Sequence, residues 1–383
     1  MPRRTHKKSR NGCFECKRRH MKCDEKKPIC SNCISSQRYC EFVEAAPIAK
    51  TSYSASGETA PAPSAVPSPA SQLNKSLEDD PVSMLHMELL YHTSSETLKS
   101  VYGPATLSTL PFQEILKYGL AAPYLMNELL ALGALHLSVV RKEQCAFYRH
   151  HSSHLQNYAL SSFNKLSPHI TEENCVPIFL FAGMLGLHML CETLVFRDDD
   201  FESFLDRFVQ YNKLHHGVQT VVNEGRWQIL QQSTLRPFLE IGEELPPLES
   251  SLSFVCNGLF DRIKALGLDE FTTRKYEQAV QALQSVQTVI ERENSRDNSI
   301  FALIAWPVLV PFEYIELLSK KKEEALVILA YYGALVATHK DHWVCCDGGK
   351  YMVDSICQYL GLQWEDWLQW PRKALTETTL VQG

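Results

Sequence analysis

The sequence lacks the motifs that carry the common catalytic chemistries. It has no glycine-rich phosphate loop, no G-x-S-x-G nucleophile elbow and no H-E-x-x-H pair. No set of acid, base and nucleophile converges, so an enzyme is the weakest of the readings. There is no succession of alternating apolar strands joined by hairpin turns, which argues against a β-sheet domain. The first ten residues, MPRRTHKKSR, contain no apolar stretch of the secretory kind, so the expectation is an intracellular chain with reduced thiols. Long apolar runs are scarce. The longest, Val176 to Cys191, is shorter than the ~20 residues of a membrane span and contains His188, so it reads as a buried core helix, with no membrane span expected. The run from Ile300 to Val310 is broken by Pro307.

What is present is uneven. The 383 residues carry a net charge of −6, but residues 1–40 hold +9 and the remainder −15. A basic head on an acidic body points to a polyanionic partner for the head alone. Six of the 13 cysteines fall in that head: Cys13, Cys16, Cys23, Cys30, Cys33 and Cys40. Their spacing is C-x2-C-x6-C, six residues, then C-x2-C-x6-C again. Two separate tetrahedral zinc sites would need eight ligands. Six thiolates suffice if two sulfurs each bridge both metals, because zinc takes four ligands and favours thiolate. An unrelated zinc ribbon or a thiol storage cluster is the alternative. A segment this short has too little apolar material to fold alone, so metal would supply much of its folding free energy. Sites filled by sulfur leave no open position for catalysis. The other seven cysteines, Cys145, Cys175, Cys191, Cys256, Cys345, Cys346 and Cys357, are scattered and read as buried reduced thiols.

Between Cys16 and Cys23 lies a basic segment, Lys17, Arg18, Arg19, His20, Met21 and Lys22, expected as a short helix anchored by the metal centre. Arg and Lys on such a helix can donate to guanine edges in the major groove. Lys7, Lys8, Arg10, Lys26 and Lys27 are placed for phosphate contacts, and Pro28 stiffens the joining loop. The expected organisation is a basic arm over 1–12, the cysteine module over 13–42, a flexible Pro/Ser/Ala linker over 43–79, an all-α regulatory domain over 80–375 and a tail over 376–383. No heptad repeat follows the cysteine module.

The helical domain is read from period and caps. Asp80 and Pro81 suit a helix start, with Leu85, Leu89, Leu90 and Leu98 on one stripe and Met84 and Met87 adding to its apolar face. Leu125 to Val140, Tyr158 to Leu166 with a stop near Pro168, Phe201 to Phe208 after Asp198, Asp199 and Asp200, Tyr276 to Glu291, and Glu323 to Thr338 follow as helices, ten or more in all, with a looser segment near 241–252. Trp343, Trp364, Trp367 and Trp370 belong either to the core or to the wall of a ligand pocket. His150 and His154 share a helical face but have no evident third metal ligand; they read as surface or packed histidines, and Cys345 and Cys346 are too close to chelate.

The cysteine spacing and its basic segment resemble the fungal Zn(2)-Cys(6) binuclear zinc-cluster family of DNA-binding transcription factors. The resemblance implies two zinc ions bridged by Cys13 and Cys30, with Cys16 and Cys23 completing one site and Cys33 and Cys40 the other. It implies double-stranded DNA as partner, CGG-like sites read through Arg19 and His20, action with the transcription machinery, and a nuclear location. His20 stands where lysine is usual, which puts the half-site in question. Three stretches of the body, DDPVSMLHMELLYH, LMNELLALGALHLS and YRHHSSHLQNYALSSF, and the end from Ala325 to Arg372 resemble the regulatory domain of fungal sterol uptake control proteins. That likeness implies a helical bundle with a hydrophobic small-molecule ligand, a contribution to homodimerisation, and a role in sterol or lipid homeostasis; control of a secondary-metabolite gene cluster is the alternative.

Overall fold

The computed structural model describes residues 12–19, 21–26, 30–36, 40, 82–102, 112–166, 171–198, 200–219, 224–233, 235–236, 254–292 and 296–380. The basic arm with Lys7, Lys8 and Arg10, His20, Lys27, Pro28, the linker expected over 43–79, Asp80, Pro81, Pro168, the segment near 241–252 and the side chain of Cys256 lie outside the described residues. The chain divides into two compact units, Met1–Asp80 and Pro81–Gly383. No strand occurs among the described residues.

Among the described residues the first unit has two short helices, α1 (Phe14–Arg18) and α2 (Ser31–Ser35), and each starts directly after a cysteine in extended conformation, Cys13 and Cys30. The expected helix between Cys16 and Cys23 is therefore shifted. Only Lys17 and Arg18 of the basic segment are helical; Arg19 is the C-cap, and Met21 and Lys22 follow as irregular chain. The Cys13 side chain accepts from the N–H of Cys16, which sets the helix before the basic segment rather than within it.

The second unit is built from fourteen α-helices among the described residues. The first, α3 (Met84–His92), is capped by Ser83, whose hydroxyl accepts from the His86 N–H, so the helix begins after the Asp80–Pro81 position expected for it. A π-helical turn, Thr93–Thr97, continues it. Met84 and Met87, expected on the apolar face, are 75% and 46% exposed; Leu89 alone of the stripe within α3 is fully buried. Helices α4 (Phe112–Ala121), α5 (Pro123–Val140), α6 (Cys145–Lys165) and α7 (Cys175–Val195) follow. Proline opens α5, where its missing N–H costs nothing.

Helix α7 is longer than the apolar run suggested. At 21 residues, with mean hydropathy 1.8, it is long and apolar enough to cross a membrane, as is α5. In the fold both carry core residues, with 61% and 72% of their most apolar windows buried. They are tied by a polar network. His188 of α7 has Nδ1 3.0 Å from Glu128 Oε1 of α5 and Nε2 3.3 Å from Ser152 Oγ of α6. The Ser152 hydroxyl donates to the Ala131 carbonyl at 2.9 Å. All three side chains are buried.

After α8 (Phe201–Gln219), which Asp200 caps by accepting from the Ser203 N–H, come α9 (Glu224–Gln232), α10 (Phe254–Ala265), α11 (Glu270–Arg292), α12 (Arg296–Leu309), α13 (Phe312–Ser319), α14 (Glu323–Ala337), α15 (Gly348–Leu360) and α16 (Glu365–Leu380). Helix α16 runs past the boundary expected at 375. Pro307 does not break α12 but sits inside it, and Pro371 sits inside α16. A proline at position i leaves the carbonyl at i−4 without its helical donor. Here the two orphaned carbonyls, Leu303 and Trp367, accept from the hydroxyls of Tyr332 at 3.1 Å and Tyr331 at 3.2 Å. The tryptophan before each proline stacks on the same tyrosine: Trp306 on Tyr332 at 4.2 Å and Trp370 on Tyr331 at 5.1 Å. Helix α14 thus serves two Trp-Pro steps with adjacent residues.

The core gathers side chains from nearly every helix, and a smaller cluster joins α3, α5 and α6. Trp343 and Trp364 are buried in the main core, with Trp367 and Trp370 packed at its edge. Cys175, Cys191, Cys345 and Cys357 are buried thiols, whereas Cys145 and Cys346 are only partly buried. His150 and His154 are exposed. Gly349 lets α15 reach α14: a Cβ there would stand 2.3 Å from the Ala337 nitrogen.

Candidate metal centre and nucleic-acid interface

The repeated spacing folds into a repeated geometry. The N–H of Cys13 donates to Cys23 Sγ at 3.4 Å, and the N–H of Cys30 donates to Cys40 Sγ at 3.2 Å, ten residues apart in each case. Two overlapping groups of four sulfurs result: Cys13, Cys16, Cys23 and Cys30, and Cys13, Cys30, Cys33 and Cys40, each with its sulfurs within 4.8 Å of one another. Cys13 and Cys30 belong to both groups, the pair that the resemblance implies as bridging. Among the described residues, no other group of three or more such side chains comes together.

The sulfur spacing fits zinc. A tetrahedron with metal–sulfur bonds of about 2.3 Å has sulfur–sulfur edges of about 3.8 Å. Cys13 lies 3.7 Å from both Cys30 and Cys33, and Cys16 lies 3.6 Å from Cys30. These separations are far from the ~2.05 Å of a disulfide. The thiols also differ in proton affinity. Burial pushes Cys16 up to about 12 and Cys40 up to about 11, and raises Cys33. At Cys13 and Cys30 burial works in the same sense, but backbone N–H donation from Cys16 and Cys33 and nearby thiols outweigh it and lower both. Zinc held by these six sulfurs would supply the positive charge that favours the thiolate form of the remaining thiols. Every position in both groups is sulfur, so a filled centre is closed to water and substrate.

The two half-motifs are tied by side chains that spacing alone did not single out. Asp24 accepts from the N–H of Ser31 at 3.1 Å and from its hydroxyl at 2.6 Å. Asn32 Nδ2 donates to the Lys22 carbonyl at 2.8 Å. Arg19 Nη1 donates to Ser36 Oγ at 3.1 Å, so this partly buried guanidinium spans from the end of α1 to the end of α2. Lys17, Arg18, Lys22 and Lys26 are exposed. Arg18 pairs with Glu15 at 2.9 Å, a surface ion pair of small energetic weight. Lys17 and Arg18 are thus exposed on α1 and Lys22 on the chain that follows it, while His20, Lys7, Lys8 and Arg10 lie outside the described residues.

Residues 11–47 match the fungal Zn(2)-Cys(6) binuclear cluster domain. The N-terminal module is a binuclear zinc-cluster domain. It binds two zinc ions. The cluster is accompanied by likeness along the whole chain. A Zn(2)-C6 fungal-type transcription factor of Gibberella zeae is 25% identical over 436 residues, covering 97% of this chain and 86% of that protein. The Zn(2)-C6 fungal-type transcription factor afumD of Aspergillus fumigatus is 26% identical, covering 85% of this chain and 84% of that protein. Sterol uptake control protein 2 of Candida albicans is 49% identical over only 41 residues, 11% of this chain and 6% of its own length. This zinc-cluster domain and these relatives support a DNA-binding regulator of transcription.

Zinc in the cluster supplies positive charge and a rigid crosslink; the protein supplies the surface. Cys13 and Cys30, shared by both sulfur groups, fix the starts of α1 and α2. Arg19 and Asn32 then hold the basic segment against the second half-motif, so its exposed cations face solvent in a set arrangement.

Proposed function

We propose that the chain is a nuclear, sequence-specific regulator of RNA polymerase II transcription that reads CGG-like sites through its zinc cluster. Cys13, Cys16, Cys23, Cys30, Cys33 and Cys40 hold the two zincs. Lys17, Arg18, Arg19, His20 and Lys22 form the reading segment, and Lys7, Lys8 and Arg10 add phosphate contacts. The observation that carries this reading is the pair of sulfur groups sharing Cys13 and Cys30, with a basic segment fixed beside them. The helical unit regulates activity and contributes to a homodimer. For the pathway we carry forward sterol or lipid homeostasis, with control of a secondary-metabolite gene cluster as the second reading. The sterol uptake control proteins support the first through the cluster region alone. The relatives matched over most of the chain are named only as transcription factors, which leaves the second equally open.

Among the described residues, an apolar pocket of about 250 Å³, lined by Phe163, Phe181, Leu185, Met189, Tyr211 and His215, is a candidate site for a hydrophobic ligand. That volume lies below the ~300–1,000 Å³ usual for ligand sites, so a sterol would need the helices to part.

Purified protein is expected to carry two zincs per chain and to bind duplexes containing CGG more tightly than scrambled ones. Arg19→Ala is expected to lower specific binding at least tenfold, whereas Lys17→Ala weakens all duplexes alike and flattens the salt dependence. Zero or one zinc per chain by atomic absorption would overturn the reading.

A further inference from the structure

The two short helices of the first unit end alike. Arg19 is the C-cap of α1 and Ser36 is the C-cap of α2. The Arg19 N–H returns to the carbonyls of Glu15 and Lys17, and the Ser36 N–H to those of Asn32 and Ile34. The side chains of these two caps meet, Arg19 Nη1 donating to Ser36 Oγ at 3.1 Å. The role of the hydroxyl is set from its other side. Ser36 gives its one hydrogen to the Asn32 carbonyl at 2.5 Å, and a carbonyl cannot donate. The serine oxygen therefore faces Arg19 as an acceptor alone.

The hold continues along the segment. Asn32 Nδ2 donates to the Lys22 carbonyl at 2.8 Å, and the Met21 N–H donates to the Cys16 carbonyl at 3.0 Å. Helix α2 and its cap thus grip the stretch from Arg19 to Lys22 at both ends, once through a side chain and once through the backbone.

The chemistry of the contact says what it does. A guanidinium is a planar fork of N–H donors. One bond to Ser36 fixes the fork and leaves its other donors for the O6 and N7 acceptors of guanine. A carboxylate in the place of Ser36 would neutralise the charge and compete with DNA; a hydroxyl holds the fork and leaves the charge. Arg18 shows the contrast, because its charge is met within α1 by Glu15 at 2.9 Å. Ordering a long side chain before association also removes a cost that contacts to DNA must otherwise cover.

We infer that Ser36 is a positioning residue for sequence reading: it sets the Arg19 guanidinium in the orientation it presents to a base edge. The second half-motif, which does not hold the reading segment, then contributes to specificity. This inference rests on the DNA-binding reading above. In the full zinc-loaded chain, Ser36→Ala is expected to lower the preference for a CGG duplex over its single-base variants by about three- to tenfold. Two zincs stay bound, and the salt dependence is unchanged because no phosphate contact is lost. Ser36→Thr keeps the hydroxyl and the preference. Ser35→Ala removes an exposed hydroxyl that bonds the Ser31 carbonyl and leaves the preference unaltered. In an Arg19→Ala chain, Ser36→Ala is expected to cost nothing more, since no guanidinium remains to be placed. Full preference in Ser36→Ala, an equal loss with and without Arg19, or zinc lost with the hydroxyl overturns the inference. Without DNA, rotation of the Arg19 guanidinium, followed by NMR of nitrogen-15 arginine, is expected to quicken in Ser36→Ala; unchanged rotation also overturns it. An unaltered chain with that rotation slowed but no preference for CGG marks failure of the DNA-binding reading and not of the hold on Arg19.

Discussion

Cys13 and Cys30 are unlike the other four thiols of the cluster. Each lies in both sulfur groups, occupies the N-cap position of a helix and has its proton affinity lowered while those of Cys16, Cys33 and Cys40 rise. Cys30→Ser is therefore expected to remove zinc from both sites and unfold the module, whereas Cys23→Ser leaves the group of Cys13, Cys30, Cys33 and Cys40 complete. Zinc per chain, near zero for the first and near one for the second, checks this. The metal centre was legible in the sequence because ligand number and spacing are covalent facts: the gaps between Cys13 and Cys40 restrict which sulfurs can meet. The strut from Arg19 to Ser36 was not, because a seventeen-residue separation carries no period that would announce a contact. Reading Arg19 as a free donor missed that one of its nitrogens is already engaged.

At the scale of elements, helix existence followed from apolar period, but which face turns inward did not. The methionines of α3 show this: Met84 and Met87 satisfy a helical pattern equally well facing in or out, and the structure turns them out. Pro307 misled in another way. It reads as a breaker only if nothing else can serve the Leu303 carbonyl, and the donor, Tyr332, lies in a different helix. Tyr332→Phe is expected to destabilise the protein by about 1–3 kcal/mol, the cost of a buried carbonyl left unpaired. In a Pro307→Ala background the alanine N–H can serve Leu303, so the same substitution should cost markedly less. A double-mutant cycle from urea unfolding measures the difference; equal costs in both backgrounds would show that the hydroxyl is not answering the proline.

For the whole molecule, the imidazoles of His136 and His215, which are buried, and of His342, which is half-buried, make stability depend on acidity. Burial lowers His136 to about 3, helped by nearby His92 and His342, and lowers His215 and His342 to about 4 each. Their folded values lie below the ordinary 6.5, so the unfolded chain binds more protons. The stability is present above pH 6.5 and is lost as pH falls from there toward about 4, on the order of 2 kcal/mol per imidazole by pH 5. Urea midpoints of the helical signal at pH 7.5 and 5 should differ accordingly. The protonation of the network on α5, α6 and α7 is fixed differently. A carbonyl cannot donate, so Ser152 must give its only hydrogen to Ala131. His188 must then present a hydrogen on Nε2 to the serine oxygen, and the 3.0 Å contact between Nδ1 and Glu128 holds one more. Whichever of the two atoms owns that hydrogen, the trio sums to zero charge: where three helices meet, the interior stores a proton and no net charge.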